Sequence, residues 1–206
     1  MGTRRRSPKL AIQSLLLSHP RLYYGSRRTL SIGRHLSRRP HEPDFAYFAK
    51  FRGSGGLFLD VGANSGNSAL GYSLFDSSSR ILSLEPNPFH ASDLRLVRRI
   101  LGPRFQFRLI GAGDRAGEFT LHVPVYGGIP LTGEASLHPQ HVRQNFLLGE
   151  LGRPDDELDV AEVRVTVHPL DDLALAPHAI KIDVEGNELA VLRGGRGRSS
   201  ATGPTS

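Results

Sequence analysis

Short runs in which nearly every residue is apolar alternate along this chain with longer segments in which apolar residues return every third or fourth position. Leu57-Phe58-Leu59-Asp60-Val61 is such a run, closed by Gly62. Near-continuous apolarity with a glycine stop predicts a strand buried on both faces. From Asn67 to Phe75, residues Ala69, Leu70, Leu74 and Phe75 suit a helix packed on a sheet. The unit then repeats: Arg80 to Leu84 reads as a strand, Pro86 and Pro88 punctuate, and Ala91 to Leu101 places Leu94, Val97, Ile100 and Leu101 on one helical face. Two strand–helix units in tandem predict an α/β fold, a mostly parallel sheet with helices on both faces.

Further along, Phe105 to Ile110 and Glu118 to Val123 read as strands separated by the glycine turn Gly111-Ala112-Gly113-Asp114. Between Pro124 and Asp159 prolines, glycines and polar residues dominate, and only Asn145 to Leu151 has a weak helical pattern. Ala161 to Val167 alternates as a strand does, His178 to Asp183 is a buried strand, and Glu185 to Leu192 opens a helix. Before the first strand, Phe45, Phe48 and Ala49 predict a short entry helix that ends at the glycines from Gly53.

Charge divides the chain where the patterning does. Residues 1–41 hold nine arginines, one lysine and no acid, so of the net +6 this leader carries +10 and the rest −4. Ile12, Leu15, Leu16 and Leu22 offer it one short apolar face that Pro20 is expected to cut off. The leader reads as an unstructured or briefly helical segment, with contact to nucleic acid or anionic lipid, or organelle targeting, as the bolder alternatives. The expected organisation is a leader over 1–41, one domain over 42–195 and a disordered tail over 196–206, where Gly, Ser, Thr and Arg dominate and no large apolar side chain is available to pack. No apolar run reaches the length of a bilayer span, which predicts a soluble, cytoplasmic protein. The absence of cysteine excludes disulfides, thiolate metal sites and cysteine nucleophiles.

The chemistry concentrates at two strand ends. In Asp60-Val61-Gly62-Ala63-Asn64-Ser65-Gly66, Gly62 can take positive φ, Gly66 permits close helix packing, and the amides at the helix start are expected to serve a small polar ligand. A dinucleotide fingerprint needs glycine at 62, 64 and 67, whereas Asn64 and Asn67 stand here, so a nicotinamide cofactor is disfavoured. Glu85 ends the second strand, where one carboxylate can accept both hydroxyls of a ribose. Structural readings stand beside these: Asp60 as a turn residue, and Glu85 as a helix-entry acid before Pro86. His138 and His141 lack a third ligand nearby, so no metal is expected. Lys181, inside a buried strand, needs a partner that the sequence does not identify.

Three blocks together, Phe58 to Gly66, Leu84-Glu85-Pro86-Asn87-Pro88, and Ile180 to Glu188 continuing through Val191-Leu192-Arg193-Gly194, resemble the FkbM family of methyltransferases in residues, order and spacing. The resemblance covers roughly residues 55–195. It implies a Rossmann-like fold binding S-adenosylmethionine, with Asp60, Gly62, Ala63, Asn64 and Gly66 around the methionine part and Glu85 on the ribose. It further implies Pro86 and Asn87 beside the adenosine, and Ala112, Gly113 and Asp114 on the adenine side. Asp183 and Glu185 become the candidate general base or substrate clamp, against a simpler reading in which Asp183 caps the next helix and Glu185 favours its first turn. The implied acceptor is a hydroxyl of a sugar, glycolipid or secondary metabolite, and Gly133 to Leu137 is similar to a serine-containing loop of the family. No nucleic-acid partner is expected. The family pattern continues past Arg193 into further strands. The expectation is therefore a shortened chain whose last strands are missing, with an oligomer or a partner covering the open sheet edge; the alternative is a non-catalytic fragment that retains cofactor binding.

Overall fold

The computed structural model describes residues 19–137, 139–143 and 158–199. Its helices are α1 (Pro20–Leu36), α2 (Asn67–Ser73), α3 (Ala91–Leu101), α4 (Pro139–Arg143), α5 (Glu188–Arg193) and α6 (Arg196–Ser199). Its strands are β1 (Leu57–Val61), β2 (Arg80–Leu84), β3 (Phe105–Arg108), β4 (Gly111–Ala112), β5 (Gly117–Tyr126), β6 (Ile129–Pro130), β7 (Leu158–His168) and β8 (Ala179–Ile182). The chain divides into two compact units, one built on Gly33–Thr120 and the chain from Arg164, the other on the chain up to Ile32 and Leu121–Val163.

The first unit is an α/β structure around a parallel sheet in the order β3-β2-β1-β8. Register aligns Phe58 with Ile81 and Ala179, and Ile81 with Phe105, so these four side chains form one row on one face. They pack with Ala69, Leu70 and Tyr72 of α2, Leu94 and Val97 of α3, and Phe48 and Phe51 of the 3-10 segment Pro43–Phe51. The Tyr72 ring lies flat on Phe58 at 4.0 Å between centroids. Leu59, Val61, Leu82 and Leu84 point to the other face and meet Ala112, Leu170 and Val191 of α5. Helices therefore cover both faces, which is why β1 and β2 read as unbroken apolar runs. β8 lies at the sheet edge, and Ile180, Leu189 and Leu192 beside that edge are exposed.

At the amino ends of these strands a buried polar cluster ties the loops together. Asp76, 1 % exposed, accepts from Tyr72 Oη at 3.0 Å, Ser78 N at 2.9 Å, Ser78 Oγ at 2.7 Å, Gly53 N at 3.3 Å and also Ser79 Oγ. Burial works against the Asp76 charge, but these hydrogen bonds win and hold its carboxyl below the ordinary range. Burial pushes the Tyr72 phenol up to about 12.

The second unit holds the antiparallel turn from β5 to β6, where Tyr126 pairs with Ile129 across Gly127 and Gly128. Both glycines have positive φ, the conformation a two-residue hairpin requires. Ser136 of the Gly133 to Leu137 loop bridges His122 through two backbone hydrogen bonds of 2.8 and 3.0 Å.

Several boundaries differ from the sequence reading. Pro20 begins α1, because the first helical turn needs no proline N–H; Ile12, Leu15 and Leu16, the apolar face that Pro20 was expected to cut off, lie outside the described residues. The helix expected from Glu185 starts at Glu188, since Glu185 and Gly186 both take positive φ. Glu188 fixes that turn by accepting from the amides of Val184 and Gly186 at 3.1–3.2 Å. Asn187, and neither Asp183 nor Glu185, is the N-cap of α5. The tail expected to be disordered from residue 196 makes one helical turn in α6, with Gly197 N donating to Asp171 Oδ2 at 2.8 Å. β3 stops at Arg108, short of Ile110, and β5 and β7 outrun their expected bounds. His138 and Asn145 to Leu151 lie outside the described residues.

Candidate functional site

Three polar side chains cross the carboxyl half of the sheet in a single row. β1 places Asp60 opposite Ser83 of β2 and opposite Lys181 of β8, and in each of these strands the residue two positions earlier belongs to the apolar row, so all three share its face. Asp60 is completely buried. Ser83 Oγ donates to its Oδ2 at 2.9 Å. Lys181 Nζ stands 3.5 Å from Oδ1, too far for a strong hydrogen bond, and among the described residues that oxygen has no other donor. The same ammonium donates to the Gly62 carbonyl at 3.0 Å and lies 3.3 Å from Asp183 Oδ2. Burial pushes the Asp60 carboxyl up, and the Lys181 charge and the Ser83 hydroxyl only partly offset it. Lys181, left without a partner by the sequence, thus has three.

Beyond this row the chain bends sharply. Gly62, Asn64 and Gly66 all have positive φ, at 77°, 50° and 83°. Asparagine tolerates this conformation, so Asn64 preserves the turn that a central glycine would make. A Cβ on Gly62 would overlap the Asp183 carbonyl oxygen, and one on Gly66 would come 2.8 Å from Val97 Cγ2, so neither position admits a side chain without movement. The bend uses its own amides. Gly62 N and Ala63 N donate to the Leu84 carbonyl, Ser65 N to Asn64 Oδ1, Gly66 N to the Ala63 carbonyl, and Asn64 N to Glu85 Oε2 at 2.7 Å. The amides of residues 62–66 are therefore all taken, three by the Leu84 carbonyl and the Glu85 carboxylate of the neighbouring strand and two within the bend.

Glu85 is the second pillar of the site. It is 6 % exposed, and while Oε2 holds Asn64, Oε1 accepts from Asn87 N at 2.8 Å. Each oxygen keeps one further lone pair. Burial raises the Glu85 carboxyl above its ordinary value, against the His90 charge and the two amides that lower it. Asn87 Oδ1 accepts from Phe89 N, and among the described residues its buried Nδ2 has no partner, leaving one spare donor beside Glu85. The spare lone pairs of Glu85, nearby carbonyl oxygens and one amide donor suit a ligand that carries hydroxyls or an ammonium. The donor set thus fits an adenosyl amino acid.

The structure brings Asp60, Gly62, Ala63, Asn64, Glu85, Asn87, Lys181 and Asp183 into one connected group. Pro86 adjoins Gly111, whose Cβ would come 3.5 Å from it, so the Gly111-Ala112 strand runs beside the second block. Ala112 is buried, Gly113 donates to the His168 carbonyl and packs against Gly194, and Asp114 is exposed. Asp183 is 66 % exposed at its side chain, and Glu185 is exposed in the left-handed turn fixed by Glu188. A methyltransferase FkbM domain model matches residues 60–204. This chain belongs to the FkbM methyltransferase family. The matched stretch begins at Asp60, the residue at the centre of the polar row. No curated protein and no solved structure matches the chain. Lys181 and Ser83 are the site residues that the sequence reading did not assign; a lysine two positions before an acid in an otherwise apolar strand was the available signal.

Proposed function

We propose that this FkbM-family chain, on a Rossmann-like framework, transfers a methyl group from S-adenosylmethionine to a hydroxyl oxygen of a sugar, glycolipid or secondary metabolite. The observation that carries the reading is the 2.7 Å hydrogen bond from Asn64 N to Glu85 Oε2, which joins the bend after β1 and the acid after β2 into one site. Ligands of open α/β sheets lie at this end of the strands.

Bound S-adenosylmethionine supplies a methyl group already activated on a sulfonium. The protein's part is positioning and proton removal. Glu85 would take the ribose hydroxyls on the lone pairs that Asn64 and Asn87 leave, with Asn87 Nδ2 as a donor toward the adenosine. Asp60, held by Ser83 and Lys181, keeps the Gly62 bend in place beneath the methionine part. Asp183 is the better of the two candidate bases: it is linked to the bend through Lys181, whereas Glu185 sits in the turn fixed by Glu188. The acceptor's hydroxyl proton would pass to Asp183. Titration calorimetry with S-adenosylhomocysteine and with NADH tests the ligand class: heat of binding with the first alone supports the reading, and binding of NADH alone reverses it. Methyl transfer to an acceptor panel then tests the acceptor class.

A further inference from the structure

The leucine-bearing face of α1 contributes no residue to the polar row or the bend. The first turns of α1 are packed: Tyr23 and Tyr24 pack on Tyr126, Ile129 and Leu131, and Tyr24 Oη donates to the Pro130 carbonyl at 3.3 Å. Successive helical residues turn by about 100°, so Leu22, Leu30 and Leu36 fall within about 120° of the circumference, on the side opposite Tyr24. They are 60 %, 61 % and 76 % exposed. Gly25, Thr29 and Gly33 stand between them along the helix, also exposed, and a Cβ on either glycine would touch nothing within 4 Å. Small neighbours therefore leave the leucines open to a large partner. Arg34, Arg38 and Arg39 are exposed at the carboxyl end of the same helix. No acid occurs anywhere in residues 1–41, which carry +10.

Charge decides the occupant. A second copy would bring like-charged segments together. A nucleic acid would engage the arginines but leave three leucines in water, and this face presents no aromatic ring for base stacking. An anionic bilayer surface satisfies both features at once, with leucines in the acyl boundary and guanidinium groups at the phosphates. Among the described residues no helix is long and apolar enough to cross a membrane. We infer that α1 seats the chain in the plane of an anionic lipid surface through Leu22, Leu30 and Leu36. This inference is independent of methyl transfer.

The chain has no tryptophan, so Leu30→Trp introduces a sole indole reporter on this face. In the full chain, its emission is expected to shift to the blue with vesicles of phosphatidylcholine and phosphatidylglycerol, and to stay put with phosphatidylcholine alone. The triple variant Leu22→Ser, Leu30→Ser, Leu36→Ser, checked for retained fold by circular dichroism, is expected to float with anionic vesicles on the order of tenfold less well. Three outcomes overturn the inference: flotation with no blue shift, flotation of the triple variant equal to the parent chain, or capture by polyuridylate in preference to anionic vesicles.

Discussion

Asp60 and Lys181 are register partners on adjacent parallel strands, with 3.5 Å between Oδ1 and Nζ. The pair is set in the sheet itself, and the lysine's second contact, to the Gly62 carbonyl, joins it to the bend. Removing one member of a buried pair strands the other's charge. Lys181→Met is therefore expected to destabilise the fold by about 3 to 5 kcal/mol near neutral pH. The loss should shrink in acid, where the Asp60 carboxyl, already raised by burial, takes up a proton. Urea denaturation at the two pH values checks this, and an equal loss at both would contradict it.

If Glu85 holds the ribose as proposed, cofactor affinity is expected to depend on pH. In the proposed role its ionised carboxylate accepts from ribose hydroxyls, and burial holds its pKa above the ordinary value. Binding of S-adenosylhomocysteine should weaken as pH falls through that raised pKa. Glu85→Gln should weaken binding by about 1.5 to 3 kcal/mol at neutral pH and abolish the pH dependence. For stability the sign is opposite: an acid with raised folded pKa holds its proton more tightly when folded. Its ionisation then costs stability above the folded pKa, and that cost vanishes below the unfolded value. Calorimetry across the acid range checks the binding term, and a flat affinity profile in the parent chain would refute it.

Asp183 and Glu185 are expected to separate kinetically. Asp183→Asn should lower kcat by about 10²- to 10⁴-fold while leaving the dissociation constant of S-adenosylhomocysteine nearly unchanged. Glu185→Gln should leave kcat close to the parent value. The reverse order of effects would move the base to Glu185.

Far from the bend, Asp76 contributes stability of the opposite pH sign to Glu85. Hydrogen bonds depress its folded pKa, so its contribution is present above the unfolded value and is lost as pH falls through the folded one. Asp76→Asn should cost about 2 to 4 kcal/mol near neutral pH, since a carboxamide cannot accept from all five donors. Thermal unfolding of the two proteins should converge in strong acid.

The parts legible in the sequence were those governed by short-range pattern. β1, β2 and α3 have the bounds expected from apolar runs, prolines and helical spacing, because two covered sheet faces force continuous apolarity. The Gly62 bend and Glu85 were legible as strand-end residues, and the geometry joins them. Lys181 was opaque: its partner Gly62 is 119 positions away, and only the register of β1 with β8 brings them together. The late start of α5 was hidden by Glu188, whose side chain stabilises a left-handed turn where propensity favoured helix. Closure of the amides within the bend likewise depends on the Leu84 carbonyl and the Glu85 carboxylate of the neighbouring strand, which no local pattern reveals.

In the proposed site the bend after β1 and the carboxylate of Glu85 hold opposite parts of one adenosyl ligand. A crystal structure of the chain with S-adenosylhomocysteine tests it most directly. Both ribose hydroxyls are expected within hydrogen-bond distance of the Glu85 carboxylate, with the amino-acid part against Gly62 to Gly66. Ligand density elsewhere, with Glu85 touching only the amides of Asn64 and Asn87, would contradict it.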